Sequence, residues 1–295
     1  MKITKFLLSL LTVFTLTSCL GDDDNDQYYN ALLTECINYV ENSASGEAYA
    51  ITGSQYTMSI NITQNTMDLT ILGIQLTPGG ASLSTKIEGI QCRYDSEGNL
   101  VANVSSHQGN GITISDLTFK MRQRYISSYE YIPVFDIHYV VNGVYYVRSF
   151  QNSICYFGST RVQIKGTATT TATDRTYYFV TFDKTSVTEG TNLTAKLYIY
   201  AAKFADKMPE MDMMIFNIPA SLGPDGFTLA ADNLKVYTGT VSNPIEQPDY
   251  SVTDFKATAN IASGMNMTFT AANRFDLSAT LGYDFTEGVK DMFGK

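Results

Sequence analysis

The sequence predicts an all-β protein with one short N-terminal helix, arranged as two tandem antiparallel β modules that are either barrel-like or sandwiches. Three observations lead there. Apolar and polar residues alternate through most of the chain; a period of two sets one face of a strand on a core and the other in water. A pattern from the first half recurs, in the same order, in the second half, as a duplicated module does. An Asn-Gly pair separates two alternating runs, and Asn-Gly accepts the positive φ of a type I′ hairpin turn.

The helix is expected at the start, where Leu32, Leu33, Cys36, Ile37 and Val40 fall on one face at helical spacing. The strands follow. Tyr56, Met58, Ile60 and Ile62 alternate with Thr57, Ser59, Asn61 and Thr63. Leu193, Ala195, Leu197 and Ile199 alternate with Thr194, Lys196, Tyr198 and Tyr200. Phe275, Leu277, Ala279, Leu281, Tyr283 and Phe285 do the same near the end. Val141-Asn142-Gly143-Val144 is the expected hairpin.

The repeat begins at Met67-Asp68-Leu69-Thr70-Ile71-Leu72-Gly73-Ile74, which aligns with Met211-Asp212-Met213-Met214-Ile215-Phe216-Asn217-Ile218 at an offset of 144. Leu76-Thr77-Pro78-Gly79-Gly80 matches Leu222-Gly223-Pro224-Asp225-Gly226 at 146, and Ile114-Ser115-Asp116-Leu117 matches Val252-Thr253-Asp254-Phe255 at 138. In both copies the alternation changes parity at the Asp of the last match. A parity slip inside a strand turns every later side chain to the wrong face, and one extra residue corrects it. Bulges are therefore expected at Asp116 and Asp254, with the Asp side chains placed to bond nearby backbone N–H groups. Similar slips fall between Ile71 and Ile74 and between Ile215 and Ile218. Strands bent at fixed places suit a closed or strongly coiled sheet.

The first residues carry a targeting signal. Lys2 and Lys5 precede an apolar run from Phe6 to Leu16, the length of a secretory h-region and too short to span a bilayer. Leu16-Thr17-Ser18-Cys19 resembles a bacterial lipobox, which implies cleavage before Cys19 and acylation of that residue. Several acyl chains anchor a protein durably, where one holds it only reversibly. The acidic stretch Asp22-Asp23-Asp24-Asn25-Asp26 resembles the export signal of surface lipoproteins in Bacteroidales. The resemblance implies an outer-membrane location facing the cell exterior. The expected organisation is a signal peptide over 1–18, a lipidated acidic tether over 19–27, a first β module over 28–160 and a second over 161–295. The Thr-rich segment 166–173 reads as a strand or an inter-domain linker.

The order of elements then resembles a family. A lipobox Cys19, an alternating strand, Met67-Asp68-Leu69-Thr70-Ile71, the Pro78-Gly79 turn and Ile114-Ser115-Asp116-Leu117 together are similar to the calycin-like lipoproteins of gut Bacteroidales. That resemblance implies antiparallel barrels, often with a ligand cavity, and brings no catalytic residues.

Composition narrows the chemistry. Twenty basic and 29 acidic residues give a net charge of −9, which excludes nucleic acid as a partner, because neutralising phosphates needs a basic face. With 44% hydrophobic and 17% charged residues, the chain folds rather than staying disordered. Cys36, Cys92 and Cys155 are read as buried thiols or as one disulfide and a free thiol. His107, in an expected loop, and His138, in a strand, lack a second His or a carboxylate at ligand spacing. No metal, cofactor or catalytic motif is expected. Glu210 and Asp212 stand two apart like glycosidase carboxylates, a pairing that requires a cleft. Met208, Met211, Met213 and Met214 fit copper(I) or a flexible core. Tyr125, Tyr129, Tyr131, Tyr139, Tyr145 and Tyr146 cluster, as interface rings or as strand formers.

The expected role is a membrane-anchored, non-enzymatic binding module for a glycan or a small apolar molecule. The alternative is a structural or adhesive, pilus-associated lipoprotein.

Overall fold

The computed structural model describes residues 28–33, 36–127, 130–184, 192–204, 208–260 and 263–282. At 28, 122–127, 130–134 and 173–175 it describes the strand and not the side chains. The signal run, Cys19 and the acidic tether lie outside the described residues, as do Tyr129, Tyr283 and Phe285. The protein is nearly all β and forms two units. Unit 1 comprises Met1–Arg124 and Glu130–Asn152; unit 2 comprises Tyr125–Tyr129 and Ser153–Lys295.

Unit 1 holds β1 (Tyr28–Leu33), β2 (Cys36–Asn42), β3 (Ala48–Thr52), β4 (Gln55–Asn61), β5 (Thr66–Ile74), β6 (Leu83–Tyr94), β7 (Leu100–Gly109), β8 (Ile112–Ser127), β9 (Glu130–Val141) and β10 (Tyr145–Gln151). They form one curled half-barrel sheet in the order β1-β4-β5-β6-β7-β8-β9-β10-β2-β3. Unit 2 holds β11 (Ser153–Ile164), β12 (Thr170–Phe182), β13 (Thr194–Ala202), β14 (Met211–Gly223), β15 (Gly226–Leu234), β16 (Val236–Thr240), β17 (Asn243–Glu246), β18 (Val252–Asn260), β19 (Gly264–Ala271) and β20 (Phe275–Gly282). Pairing of β13 with both β12 and β14 closes eight of these into a barrel, with the β16–β17 hairpin attached to β14. β11 pairs with β12 from Ser153 and with β20 from Phe157, and residues 153–160 lie in unit 2. The Thr-rich segment is the β11–β12 turn and the start of β12, inside unit 2.

The expected N-terminal helix is two strands, β1 and β2. Residues 36–40 are buried consecutively. A strand covered on both faces carries apolar residues at every spacing, the helical one included. The Asn142-Gly143 hairpin is present, with φ of 53° and 67°. Its strands pair through Val141 and Tyr145. Inward residues of the alternating runs are buried, as at Tyr56, Met58, Ala195, Leu197, Leu277 and Ala279. Ile62 departs from this, being 49% exposed in the β4–β5 turn.

The parity slips are physical. Gly73 (φ 71°) and Asn217 (φ 56°) break the register between Ile71 and Ile74 and between Ile215 and Ile218. Asp254 (φ 53°) sits in a bulge of β18 against β19. Asp116 (φ 51°) turns burial from Ile112 and Ile114 to Leu117 and Phe119. There β7 and β8 stay in register, so the kink is shared by both strands and is not a bulge against β7. Backbone capping by Asp occurs instead at Asp68 and Asp212. Asp68 Oδ1 accepts from Gly89 N at 2.9 Å, and Asp212 Oδ1 accepts from Ala201 N at 3.2 Å. Both donors have positive φ and lie in bulges of the neighbouring strand. The repeat thus preserves local geometry while pairing diverges, since β8 pairs with β7 but β18 with β15.

An eight-stranded barrel has an interior just wide enough for side chains to fill or for one small ligand. In unit 2 the inner face carries Tyr156, Tyr178, Phe182 and Phe227, all buried, with Phe182 and Phe227 packed edge to face at 5.0 Å. In unit 1 the core holds a polar chain. Asn38 Nδ2 donates to Ser54 Oγ at 2.7 Å, Ser149 Oγ donates to Asn38 Oδ1 at 2.6 Å, and Tyr56 bonds both Ser149 and Tyr139. It ties β4 to β2, β9 and β10, so the curled sheet is cross-braced. Cys36, Cys92 and Cys155 are buried and outside any disulfide, with Cys36 Sγ against the Leu33 carbonyl. Burial pushes the Cys92 and Cys155 thiols up.

Candidate functional site

The site is a groove of about 450 Å³ on the outer face of β1, β4, β5 and β6. Strand alternation builds it. Ala31, Met58 and Leu69 point into the core and are buried, so their neighbours along each strand point outward. Register then aligns them in two rows. Asn30 lies opposite Ser59, and Ser59 opposite Asp68. Leu32 lies opposite Thr57, Thr57 opposite Thr70, and Thr70 opposite Lys86. These residues, with Ala31 and Met58, line the groove.

The charged end is held in place. Asp68 Oδ2 lies 3.1 Å from Lys86 Nζ, while its other oxygen takes the Gly89 N–H. The Gly89 N–H, and then Lys86, hold the Asp68 carboxyl below the ordinary carboxylate range against a smaller opposing effect of burial. Lys86 also pairs with Glu88, and Glu88 and Asp68 together raise the ammonium above its ordinary value. Asp68 is the one acid among the lining residues, so the groove does not offer the facing carboxylate pair that glycoside hydrolysis requires. Hydroxyls and amides both donate and accept. Asn30 and Ser59 from one row, with Thr57 and Thr70 from the other, therefore offer uncharged donors and acceptors that match a neutral, polyhydroxylated ligand.

The residues singled out in the sequence fall elsewhere. Glu210 precedes β14 and is exposed, and Asp212 has one carboxylate oxygen on the Ala201 bulge. Tyr198 is pushed up by burial first and by Asp212 second. Met213 and Met214 are core residues, and Met208 Sδ accepts from Phe204 N at 3.4 Å. Tyr139 is buried in the polar chain, and Tyr145 and Tyr146 are half-buried. The side chains of Tyr125, Tyr129 and Tyr131 lie outside the described residues.

Both histidines need correction. His107 is on β7 and not in a loop, because the strand runs to Gly109 before turning. His138 does have a carboxylate: its Nδ1 is 3.8 Å from Asp136 Oδ1, two residues back on the same face of β9. Arg148 from β10 grips that carboxylate with two nitrogens, at 2.9 and 2.7 Å. Burial pushes the Asp136 carboxyl up, but His138 and Arg148 together outweigh it and hold it below its ordinary value. Tyr146 stands 6.1 Å from His138 and 6.4 Å from Tyr39 by ring centroids. Tyr39 donates to Glu41 and is raised to about 12, by burial first and by Glu41 second. With Asp136 occupied by a bidentate guanidinium, this cluster orients and braces strands.

Sequence reasoning missed the groove. Thr57 and Ser59 were legible as outward positions, but Asn30 and Lys86 carry no signal until register brings them into line. No family model, curated protein or solved structure matches the chain.

Proposed function

We propose that the protein is a calycin-like lipoprotein, anchored to the outer membrane through Cys19 and facing the cell exterior. Its first unit acts as a non-enzymatic binding module for a neutral glycan. The groove on β1, β4, β5 and β6 carries this reading: four uncharged hydrogen-bonding side chains that register brings onto one outer face beside Leu32. Between the two ligand classes that the sequence suggests, a polar open groove favours the glycan, and the aromatic filling of the unit 2 barrel does not favour an apolar guest there. The lipobox and acidic tether support the anchoring.

The test is a printed array of neutral glycans probed with residues 20–295. Binding that weakens about tenfold in T70V and in K86A, with unchanged thermal midpoints, supports the reading. Array binding indifferent to both variants, or no binding, overturns it. For the anchor, C19A is expected to move the full chain from the membrane fraction to the soluble periplasm.

The edge position of β1, which ends the unit 1 sheet, favours a second reading as an adhesive or assembly component. Edge strands are templates for pairing with another chain. Concentration-dependent polymers of the purified chain would support it.

A further inference from the structure

The two ends of the groove differ. Its rows cross the sheet from β1 to β6. At the β1 end, Asn30 and Leu32 stand on a strand whose other edge pairs with no strand among the described residues. At the β6 end an ion pair joins the rows. Asp68 finishes the first row and Lys86 the second, and the ammonium reaches across to the carboxylate at 3.1 Å. Glu88, two residues further along β6, takes the same ammonium. Beyond Asp68 the first row meets the Gly89 bulge, which has no side chain to continue it. The groove is therefore stopped at β6 and open over the sheet edge at β1.

Its length follows from the sheet. Neighbouring strands lie about 4.8 Å apart, so the three steps from β1 to β6 cover about 14 Å. The polar side chains fall into three sets along that path: Thr70 with the Asp68–Lys86 pair, Thr57 with Ser59, and Asn30 beside Leu32. One ring of an extended glycan is about as long as one strand spacing is wide, so the sets are placed for three successive rings. The volume of about 450 Å³ lies within the range of small-ligand sites, about 300–1,000 Å³.

We propose that the groove captures the end of a linear neutral glycan: the terminal ring on Asp68, Thr70 and Lys86, two further rings over β4 and β1, and the rest of the chain leaving across the sheet edge. This rests on the glycan reading above and adds to it which part of the glycan is held. A terminal ring carries a hydroxyl where an interior ring carries its next linkage. That hydroxyl and its neighbour suit a carboxylate beside an ammonium, one donating to Asp68 and the other accepting from Lys86. An ammonium has three donors; Asp68 and Glu88 engage two, and the third serves the ligand. An interior segment would have to run on past the ion pair, where neither row continues.

The test is isothermal titration calorimetry of residues 20–295 with three pairs of probes, each a trisaccharide and a long chain of the same linkage: maltotriose and amylose, laminaritriose and laminarin, kestose and inulin. The expected result, in at least one pair, is one protein per chain with both members and affinities per chain that agree within about twofold. Many proteins per long chain overturn end capture and leave the glycan reading standing. No binding by any pair also overturns end capture, and the glycan array then decides the glycan reading by itself. The direction of the chain is read from two variants. K86A should weaken the trisaccharide and the disaccharide of the same linkage alike, whereas N30A should weaken the trisaccharide about tenfold and leave the disaccharide unchanged, because Asn30 meets only the third ring. Equal losses for both lengths in N30A overturn the placement of the chain end at β6.

Discussion

Asp68 reaches across from β5 to the Gly89 N–H of β6 at 2.9 Å and caps the bulge there. Asp212, 144 residues later, caps a bulge too, but on β13, at Ala201. One sequence position thus does the same job toward opposite neighbours. Replacing Asp68 with Ala removes the acceptor and the Lys86 partner together. The cost should be about 1 kcal/mol, a charged hydrogen bond discounted for exposure. D68N keeps the oxygen that faces Gly89 and should recover most of that loss, as read by urea unfolding. The carboxyl is held below its ordinary range, so this contribution is full above that range and fades as pH falls through the folded value.

Gly73 and Asn217 place the same left-handed residue at the same step of the repeat. The left-handed region costs an ordinary L-residue about 1–2 kcal/mol, while Asn tolerates it through local hydrogen bonding. G73A meets a further obstacle, because its Cβ would sit 3.0 Å from the Gly53 carbonyl oxygen. G73A should therefore destabilise by more than N217A, and N217G should be nearly neutral. Thermal midpoints of the three variants decide this.

These turns also show what the sequence exposes and what it hides. Parity slips at Ile71–Ile74 and at Asp254 were readable because burial imposes strict alternation, so any interruption stands out. The strand character of Cys36–Val40 was not, because burial on both faces erases the period. The groove was hidden for another reason. Asn30, Ser59 and Asp68 lie far apart in sequence, and only strand register brings them into one row. The Asp136–Arg148 pair is hidden in the same way, by a cross-strand neighbourhood.

Tyr56 and Tyr139 bond each other at 3.1 Å inside unit 1. Burial pushes both hydroxyls up. Groups whose folded values are raised give stability that is present below the unfolded value, about 10 for Tyr, and lost as pH climbs above it. Native protein should keep these phenols neutral in strong base until it unfolds, giving a late, cooperative step in phenolate absorbance that coincides with loss of β-sheet circular dichroism. Y56F leaves Ser149 and Tyr139 short of a partner and should cost about 1–3 kcal/mol.

Asp95 controls the turn between β6 and β7. Its Oδ1 accepts from the Glu97 N–H at 2.9 Å and the Asn99 N–H at 2.8 Å, and both of its oxygens accept from the Asn99 amide. Asn99 first, then Glu97 and Lys120, lower the carboxyl from 3.8 to about 2 against a smaller opposing effect of burial. A lowered value means stability present above the ordinary range and lost as pH falls toward the folded value. The window is therefore from about 4 down to about 2. D95N keeps an acceptor oxygen but cannot carry the charge. Its stability deficit against the parent protein should be constant near neutrality, shrink through that window and vanish below it. A deficit that stays constant down to the bottom of the window would mean that the turn depends on the shape of Asp95 and not on its charge.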